Sequence, residues 1–326
     1  MNPKQIVKSL KTVIKAKQPT FLWGPPGVGK SQVVRQAASE LLYDLIDLRA
    51  ILLDPVDLRG LPKISGKVAS WCSPSFLPSE GRGILFLDEL NAAPPLVQAA
   101  CYQLILDRKI GEYELPDGWV VIAAGNRDSD KAVTHKMPSA LANRFVHLDF
   151  EVSIEDWLEW GRENKVSEEI LAFIRFRPNL LHDFDPQRQE KAFPSPRSWE
   201  FVSKMISAGL DNEIEYELIK GTVGEGAAAE FCGFCRIYKN IPDPEDVLNS
   251  PEDVAIPDDP ATVYALCESV ASKASSERAE NIMTFASRLP VEFGVLLVRN
   301  AVRKERSIVK SQGFERWATA NSDILV

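Results

Sequence analysis

The stretch FLWGPPGVGKSQVV, residues 21–34, decides the fold of this chain. It contains GPPGVGKS, which satisfies the complete G-x-x-x-x-G-K-[ST] pattern of a phosphate-binding loop. The apolar run TFLW at 20–23 predicts a buried strand before the loop, and Val33, Val34 and Ala37 recur after it at helical spacing. The alternative is a glycine-rich turn before an ordinary helix. The order strand, turn, helix favours a nucleoside triphosphate site.

The loop residues have distinct predicted tasks. Gly27 and Gly29 let the backbone curl so that successive N–H groups point at the phosphates, and the helix N-terminus adds its partial positive charge. Lys30 reaches the β- and γ-phosphates, while the Ser31 hydroxyl is placed to ligate Mg²⁺. The predicted nucleotide-binding residues are Gly24, Pro25, Pro26, Gly27, Val28, Gly29, Lys30 and Ser31.

A second apolar run, ILFL at 84–87, is followed by two carboxylates, Asp88 and Glu89. Ligands of open α/β sheets bind at the carboxyl ends of the strands, where these acids would lie. Asp88 is therefore predicted to bind the nucleotide's Mg²⁺ through water, together with Ser31. Glu89 is predicted to be the general base that polarises the attacking water. The alternative is that both acids merely end a strand at the surface.

A further strand, WVVIAAGN at 119–126, ends in Asn126. An amide at this edge of the sheet would hold the attacking water or contact the γ-phosphate. The Gly-Asn pair is also common in simple turns, so the residue alone does not decide between these possibilities.

The alternation of short apolar strands with helical stretches up to residue 150 predicts an α/β fold, a parallel sheet with helices on both faces. Residues 151–238 have helical patterns throughout. Residues 240–262 contain five prolines and seven acids without Lys or Arg, which predicts an exposed or poorly ordered connector. A final helical section follows from Tyr264 to Trp317. The five predicted strands are Thr20–Trp23, Leu45–Leu48, Ile84–Leu87, Trp119–Ala123 and Phe145–Phe150.

Five segments in this order and spacing, GPPGVGKS, FLDELN, AAGN, MPSALANRF and SPRSWEF, resemble the AAA+ ATPases, specifically the MoxR branch. The resemblance covers roughly residues 19–205. It implies a P-loop αβα sandwich with a five-stranded sheet at 1–150, a helical lid at 151–238, and assembly into a ring, usually a hexamer. Residues 239–326, an acidic connector and a helical extension, lie beyond it. Ala92 stands where MoxR-like proteins usually have Arg.

The resemblance also implies catalytic roles for three residues. Asn126 looks like sensor 1, and Arg197 in SPRSW looks like sensor 2, which closes the lid over the γ-phosphate. Arg144 in SALANRF looks like the arginine finger, which acts on the nucleotide of the adjacent subunit. The alternatives are that Arg144 caps its helix or pairs with a surface acid, and that Arg197 is an ordinary surface residue of the lid.

The predicted function is Mg²⁺-dependent ATP hydrolysis by a ring-forming ATPase that remodels or activates a protein partner. The resemblance suggests a partner with a von Willebrand A-type domain. The alternative is a nucleic-acid-directed motor or loader on the same core. A net charge of −8 gives no global basic signature, so nucleic acid is not expected. A basic run near the C-terminus favours a solvated helix face or an intersubunit contact, and comprises Arg299, Arg303, Lys304, Arg306, Lys310 and Arg316.

Two segments are candidates for coupling hydrolysis to a partner: the long Pro/Gly-punctuated insertion at 54–83 and a predicted β-hairpin at 107–119. In the alternative interpretation, the apolar residues of these two segments simply pack on the core.

Bulk composition is that of a globular protein, with 45% hydrophobic and 26% charged residues, and no apolar run approaches a membrane span. Five cysteines and an N-terminal stretch unlike an export signal predict a reduced, cytoplasmic protein. Cys232 and Cys235 form a lone C-x-x-C on a predicted helix, which favours two small buried residues over a metal or redox site. The three histidines do not have the spacing of metal ligands, and no chemical role is predicted for them.

Overall fold

The computed structural model describes residues 1–130, 135, 137–188, 190–239 and 242–321. Five of its strands build one parallel sheet, and two antiparallel hairpins stand outside it. The strands are β1 (Thr20–Trp23), β2 (Asp44–Arg49), β3 (Leu61–Ser65), β4 (Val68–Cys72), β5 (Gly83–Asp88), β6 (Lys109–Ile110), β7 (Tyr113–Glu114), β8 (Trp119–Gly125) and β9 (Val146–Asp149).

The parallel sheet has the order β2-β5-β8-β1-β9, and its five strands are those predicted from the sequence, within two residues at their ends. Trp23 at the end of β1 lies opposite Gly125 at the end of β8, and Leu87 of β5 lies opposite Ala123 of β8. The register therefore brings the loop after β1, the acids after β5 and Asn126 after β8 to one edge. The P-loop αβα fold predicted from the sequence is confirmed.

In the described residues, helices alternate with the strands up to β9, and helices alone follow it. The α-helices are α1 (Pro3–Lys15), α2 (Lys30–Leu41), α3 (Pro55–Arg59), α4 (Pro95–Asp107), α5 (Ser139–Ala142), α6 (Ile154–Glu163), α7 (Glu168–Phe176), α8 (Pro196–Ser207), α9 (Glu215–Val223), α10 (Glu225–Lys239), α11 (Pro244–Asn249), α12 (Pro260–Ser272), α13 (Ala279–Arg288), α14 (Val291–Lys304) and α15 (Gln312–Ala320).

Contacts divide the chain into two compact units. The first comprises residues 1–165, 180–204 and 222–224, and the second comprises 166–179, 205–221 and 225–326. In the first unit one core contains Leu22, Val34 and Phe86, and a second contains Phe21, Leu87 and Leu104. The predicted division at residues 150 and 238 into nucleotide core, lid and extension stays a prediction.

The second unit has its own core, formed mainly by α11 to α15 with Leu266, Phe285 and Leu297 fully buried. Within this unit the buried Glu268 carboxylate accepts hydrogen bonds from Arg175 and Asn300. A buried carboxylate persists only when such partners satisfy it.

Residues 244–249 correct the prediction of an exposed or poorly ordered connector at 240–262. They form helix α11, whose Val247 and Leu248 are buried. Asp243 caps the helix by accepting from the Glu245 N–H, and the acids of the first turn suit the positive end of the helix dipole. The composition of this segment predicted disorder, but Val247 and Leu248 supply the apolar contacts that hold helix α11 in place. Residues 240–241 and 322–326 of the predicted C-terminal region lie outside the described residues.

The insertion at 54–83 contains α3 and the hairpin β3–β4, and every residue of both strands is exposed. Large apolar side chains are exposed there, with 77% of Ile64 and 69% of Val68 accessible. The predicted hairpin at 107–119 is present as β6–β7. In the described part of the chain, no helix is both long and apolar enough to cross a membrane.

Candidate functional site

The loop between β1 and α2 has the backbone of a phosphate cradle. Gly27 and Gly29 adopt positive φ angles of 78° and 101°. Gly29 is the N-cap of α2 and, having no side chain, leaves the first N–H groups of the helix without a side-chain partner. These orphan donors and the helix dipole form an anion site.

Lys30 lies at the centre of this loop. Its Nζ donates to the Gly24 carbonyl at 2.6 Å, to the Pro25 carbonyl at 3.0 Å and to Asn126 Oδ1 at 3.0 Å. The last contact links the loop after β1 with the end of β8. Asn126 therefore lies where the sequence predicted it, between the loop and the strand that carries the acids.

The acidic side of the site is built on the end of β5. Ser31 Oγ donates to Asp88 Oδ2 at 2.8 Å, so the two predicted magnesium-associated oxygens are adjacent. The Glu89 N–H donates to Asp88 Oδ1 at 3.0 Å. Glu89 itself has a φ of 57°, a left-handed conformation that costs a non-glycine residue about 1–3 kcal/mol and that clusters at active sites.

Arg197 approaches the loop from the segment that precedes and begins α8. Its N–H donates to the Gly27 carbonyl at 3.2 Å, and its side chain lines the same cleft as Asp88 and Glu89. A Cβ on Gly27 would lie only 2.8 Å from Ser195 Oγ, so this segment packs directly on the phosphate loop. The predicted sensor-2 residue is thus at the site.

Arg144 differs from the other predicted catalytic residues. It is exposed, it follows α5, and it is not among the residues that line the cleft of its own chain. Within the described residues its side chain has no recorded hydrogen bond or ion pair. This position leaves the guanidinium available to another molecule.

The cleft has a volume of about 680 Å³ and extends from the phosphate loop between α1 and α6. Its lining includes the apolar side chains of Val7, Phe150, Val152, Trp157 and Trp160 and charged residues such as Arg35 and Asp156. Aromatic and apolar side chains beside a phosphate cradle fit the flat ring of a nucleobase. The sequence predicted α6 only as a helix core, because its tryptophans fit an amphipathic pattern and nothing local marks them as ligand contacts.

His182, for which the sequence predicted no chemical role, lies against the phosphate loop. Burial lowers its pKa, and a hydrogen bond with the Pro26 carbonyl opposes that shift. Its Nε2 is buried with no partner among the described residues. Elsewhere in the described part of the chain, no three His, Cys, Asp or Glu side chains form a cluster suited to a metal.

Burial lowers the pKa of Lys30 to about 8, while Asp88 and Asp130 act in the opposite direction. Bound phosphates need the protonated ammonium, so the affinity for a nucleotide falls as pH rises through this pKa. We expect the Kd to rise roughly tenfold per pH unit above about 8 in titrations with a fluorescent nucleotide. Lys30→Arg is the control, because arginine stays charged in this pH range. The variant should bind the nucleotide more weakly, but its Kd should not rise with pH in the same way. Equal slopes for both proteins would contradict the assignment.

Comparison with known families agrees with this geometry. Residues 19–145 match the AAA domain, dynein-related subfamily. These residues therefore resemble an AAA domain. AAA domains are found in ATPases, which bind and hydrolyse ATP, so the match supports an ATPase here. The match contains the phosphate loop, the acidic pair, Asn126 and Arg144, and it ends before Arg197. No curated protein sequence matches the chain.

Solved structures give weaker similarity over longer spans. A RuvB variant from Thermotoga maritima is 18% identical, with a TM-score of 0.43 over 82% of this chain and 81% of that one. NtrX from Brucella abortus in complex with ATP is 14% identical, with a TM-score of 0.43 over 92% and 67%. A protein from Cytophaga hutchinsonii assigned as an ATPase is 17% identical, with a TM-score of 0.40 over 92% and 80%.

Proposed function

We propose that this protein is a Mg²⁺-dependent, MoxR-like AAA+ ATPase that assembles into a ring and remodels a protein partner. One observation carries the proposal. Hydrogen bonds join Lys30 to Asn126 and Ser31 to Asp88 in one chain, whereas the remaining predicted cation, Arg144, is exposed and does not line that chain's cleft. Such a site is complete only when a neighbour supplies the arginine.

The donor set suits magnesium. The Ser31 hydroxyl and the Asp88 carboxylate are hard oxygen ligands lying 2.8 Å apart beside the phosphate cradle. Mg²⁺ bound there would neutralise charge on the β- and γ-phosphate oxygens of ATP. Ser31 would be a direct ligand, and Asp88 would hold the ion's water shell.

The protein's own groups then have defined tasks in hydrolysis. Loop N–H groups and Lys30 bind the phosphates and fix the γ-phosphate at the edge of the sheet. Glu89 orients the attacking water and takes its proton, and the Asn126 amide holds the water or the γ-phosphate in place. Arg197 places a second cation beside the developing charge.

Arg144 would act on the ATP of the next subunit. Cyclic assembly of identical subunits uses head-to-tail contacts, in which one surface of each chain faces a different surface of its neighbour. An arginine supplied this way stabilises the charge of the transition state and makes turnover depend on assembly. A six-membered ring is the arrangement that the resemblance implies.

The partner is proposed to be a protein that engages the hairpin β3–β4. Pro62 pairs with Trp71 and Ile64 with Ala69, so one face of the hairpin is wholly apolar. Residues 58–79 contain Arg59, Lys63 and Lys67 and no acid, in a chain of net charge −8. An exposed apolar face with basic neighbours fits a partner segment that is apolar and acidic. The von Willebrand A-type domain remains a prediction of the resemblance.

Phosphate release measured at several protein concentrations, alongside light scattering for mass, tests the proposal. Turnover per chain is expected to rise with the mass of the assembly, because each active site requires two subunits. Added DNA is expected to leave the rate unchanged. Strong stimulation by DNA would favour the nucleic-acid motor instead, acting through exposed cations of α14 such as Arg299 and Arg303. Turnover independent of concentration and mass would contradict the ring.

A further inference from the structure

Asn91 is a buried polar residue beside the catalytic edge of the sheet. It lies in the short turn Leu90–Ala92 directly after Glu89, and only 2% of it is exposed. Its Nδ2 donates to the Asn126 main-chain carbonyl at 2.7 Å. The side chain of the same Asn126 accepts from Lys30 at 3.0 Å. One amide therefore spans from the acidic turn to the residue that contacts the phosphate-loop lysine.

The fit around Asn91 is too close to be incidental. A Cβ on Gly125 would lie 2.0 Å from Asn91 Oδ1, so this amide packs on the backbone at the end of β8. Oδ1 is buried with no hydrogen-bond partner among the described residues. A buried acceptor without a partner lowers stability, whereas an apolar side chain of similar size would avoid that cost. Among the described residues, the hydrogen bond that anchors the Asn91 side chain is thus its Nδ2 donation to Asn126.

The turn itself is fixed by neighbouring segments. The Asn91 carbonyl accepts from the His135 N–H at 2.7 Å, and Gln98 Nε2 of α4 donates to the Ala93 carbonyl at 2.9 Å. Gln98 Nε2 also donates to the Asn91 carbonyl at 3.4 Å, so α4 supports the turn at both residues. Gln98 therefore holds the turn on the side of α4, while the Asn91 amide connects it to Asn126.

We infer that Asn91 is a positioning residue for hydrolysis, which fixes the spacing between the turn that carries Glu89 and the Asn126 side chain. The inference rests on the proposed function. Glu89 and Asn126 must hold the water and the γ-phosphate on a common line, and a displacement of about 1 Å in such a site lowers the rate about 100-fold. The phosphate loop and Lys30 bind the nucleotide without Asn91, so the loss should fall on kcat.

Two variants test the connection in the full chain. Asn91→Leu keeps the number and branching of the side-chain heavy atoms and removes the donor. Asn91→Asp keeps the shape but places a carboxylate oxygen against the Asn126 carbonyl. Steady-state phosphate release is expected to show a roughly 10- to 100-fold lower kcat for both, with KM and nucleotide affinity changed less than about threefold. Lowering the pH protonates the introduced carboxyl of the second variant and restores a donor, so its kcat relative to the parent should rise.

Asn281→Leu is the matched control, because Asn281 Nδ2 also donates to a main-chain carbonyl, that of Leu248 in the second unit. Thermal unfolding of each variant reports its folding. The control is expected to lower the unfolding temperature while kcat stays within about threefold of the parent. The inference is wrong if either folded Asn91 variant turns over at the parent rate, if Asn281→Leu loses as much kcat, or if the whole loss lies in nucleotide affinity. A parent protein that releases no phosphate would overturn the proposed function and this inference together.

Discussion

Replacing Glu89 with glutamine is expected to leave ATP bound and to stop its turnover. The substitution keeps the size of the side chain and the left-handed turn but removes the oxygen that takes a proton from water. General-base catalysis contributes about 10²–10⁴ in rate, so phosphate release should fall by that factor. Nucleotide affinity should stay within about threefold, because the phosphate contacts are made by Lys30 and the loop.

Glu80→Gln provides the control for this change. Glu80 is an exposed acid that does not line the cleft, and its recorded contact is a main-chain carbonyl that accepts from the Trp119 indole. Both variants remove one negative charge from the chain, so a general electrostatic effect would appear in both. Phosphate release by Glu89→Gln at the parent rate would remove Glu89 as the base.

Replacing Arg144 with alanine is expected to abolish turnover without loss of ATP binding. An arginine supplied by a neighbour contributes about 10³–10⁵ in rate, which sets the size of the loss. Binding should persist because Arg144 does not line the cleft of its own chain. Phosphate release and a fluorescent-nucleotide titration measure the two effects separately, and light scattering shows whether the variant still assembles.

Arg162→Ala is the matched control, since Arg162 is another exposed arginine, at the end of α6. It is expected to turn over at close to the parent rate. An Arg144→Ala protein that assembles and retains turnover within about twofold of the parent would show that the residue has no catalytic role.

The elements around the nucleotide could be predicted because their signals are local. The glycines, Lys30 and Ser31 occur within one loop, and apolar runs mark each strand up to its polar end. In a parallel sheet, strand ends meet at one edge, so the adjacency of Lys30 and Asn126 also follows from the sequence.

The remaining features depend on contacts between distant segments. Asn91 acquires its importance only through the register that places β8 beside β5, and Trp157 only through the packing of α6 near α1. The order of α11 depends on the burial of Val247 and Leu248, which composition does not reveal. The hairpin β3–β4 could not be predicted inside the insertion, because a proline within a short apolar run, here Pro62, argues against a strand.

Mixing Arg144→Ala subunits with Glu89→Gln subunits tests the central claim most directly. Each variant alone is expected to be inactive. In mixed rings some interfaces place the intact arginine of a Glu89→Gln subunit against a neighbour with an intact Glu89, so phosphate release should reappear and depend on the mixing ratio. Mixtures that co-assemble by light scattering yet release no more phosphate than the separate variants would contradict a catalytic site shared between subunits.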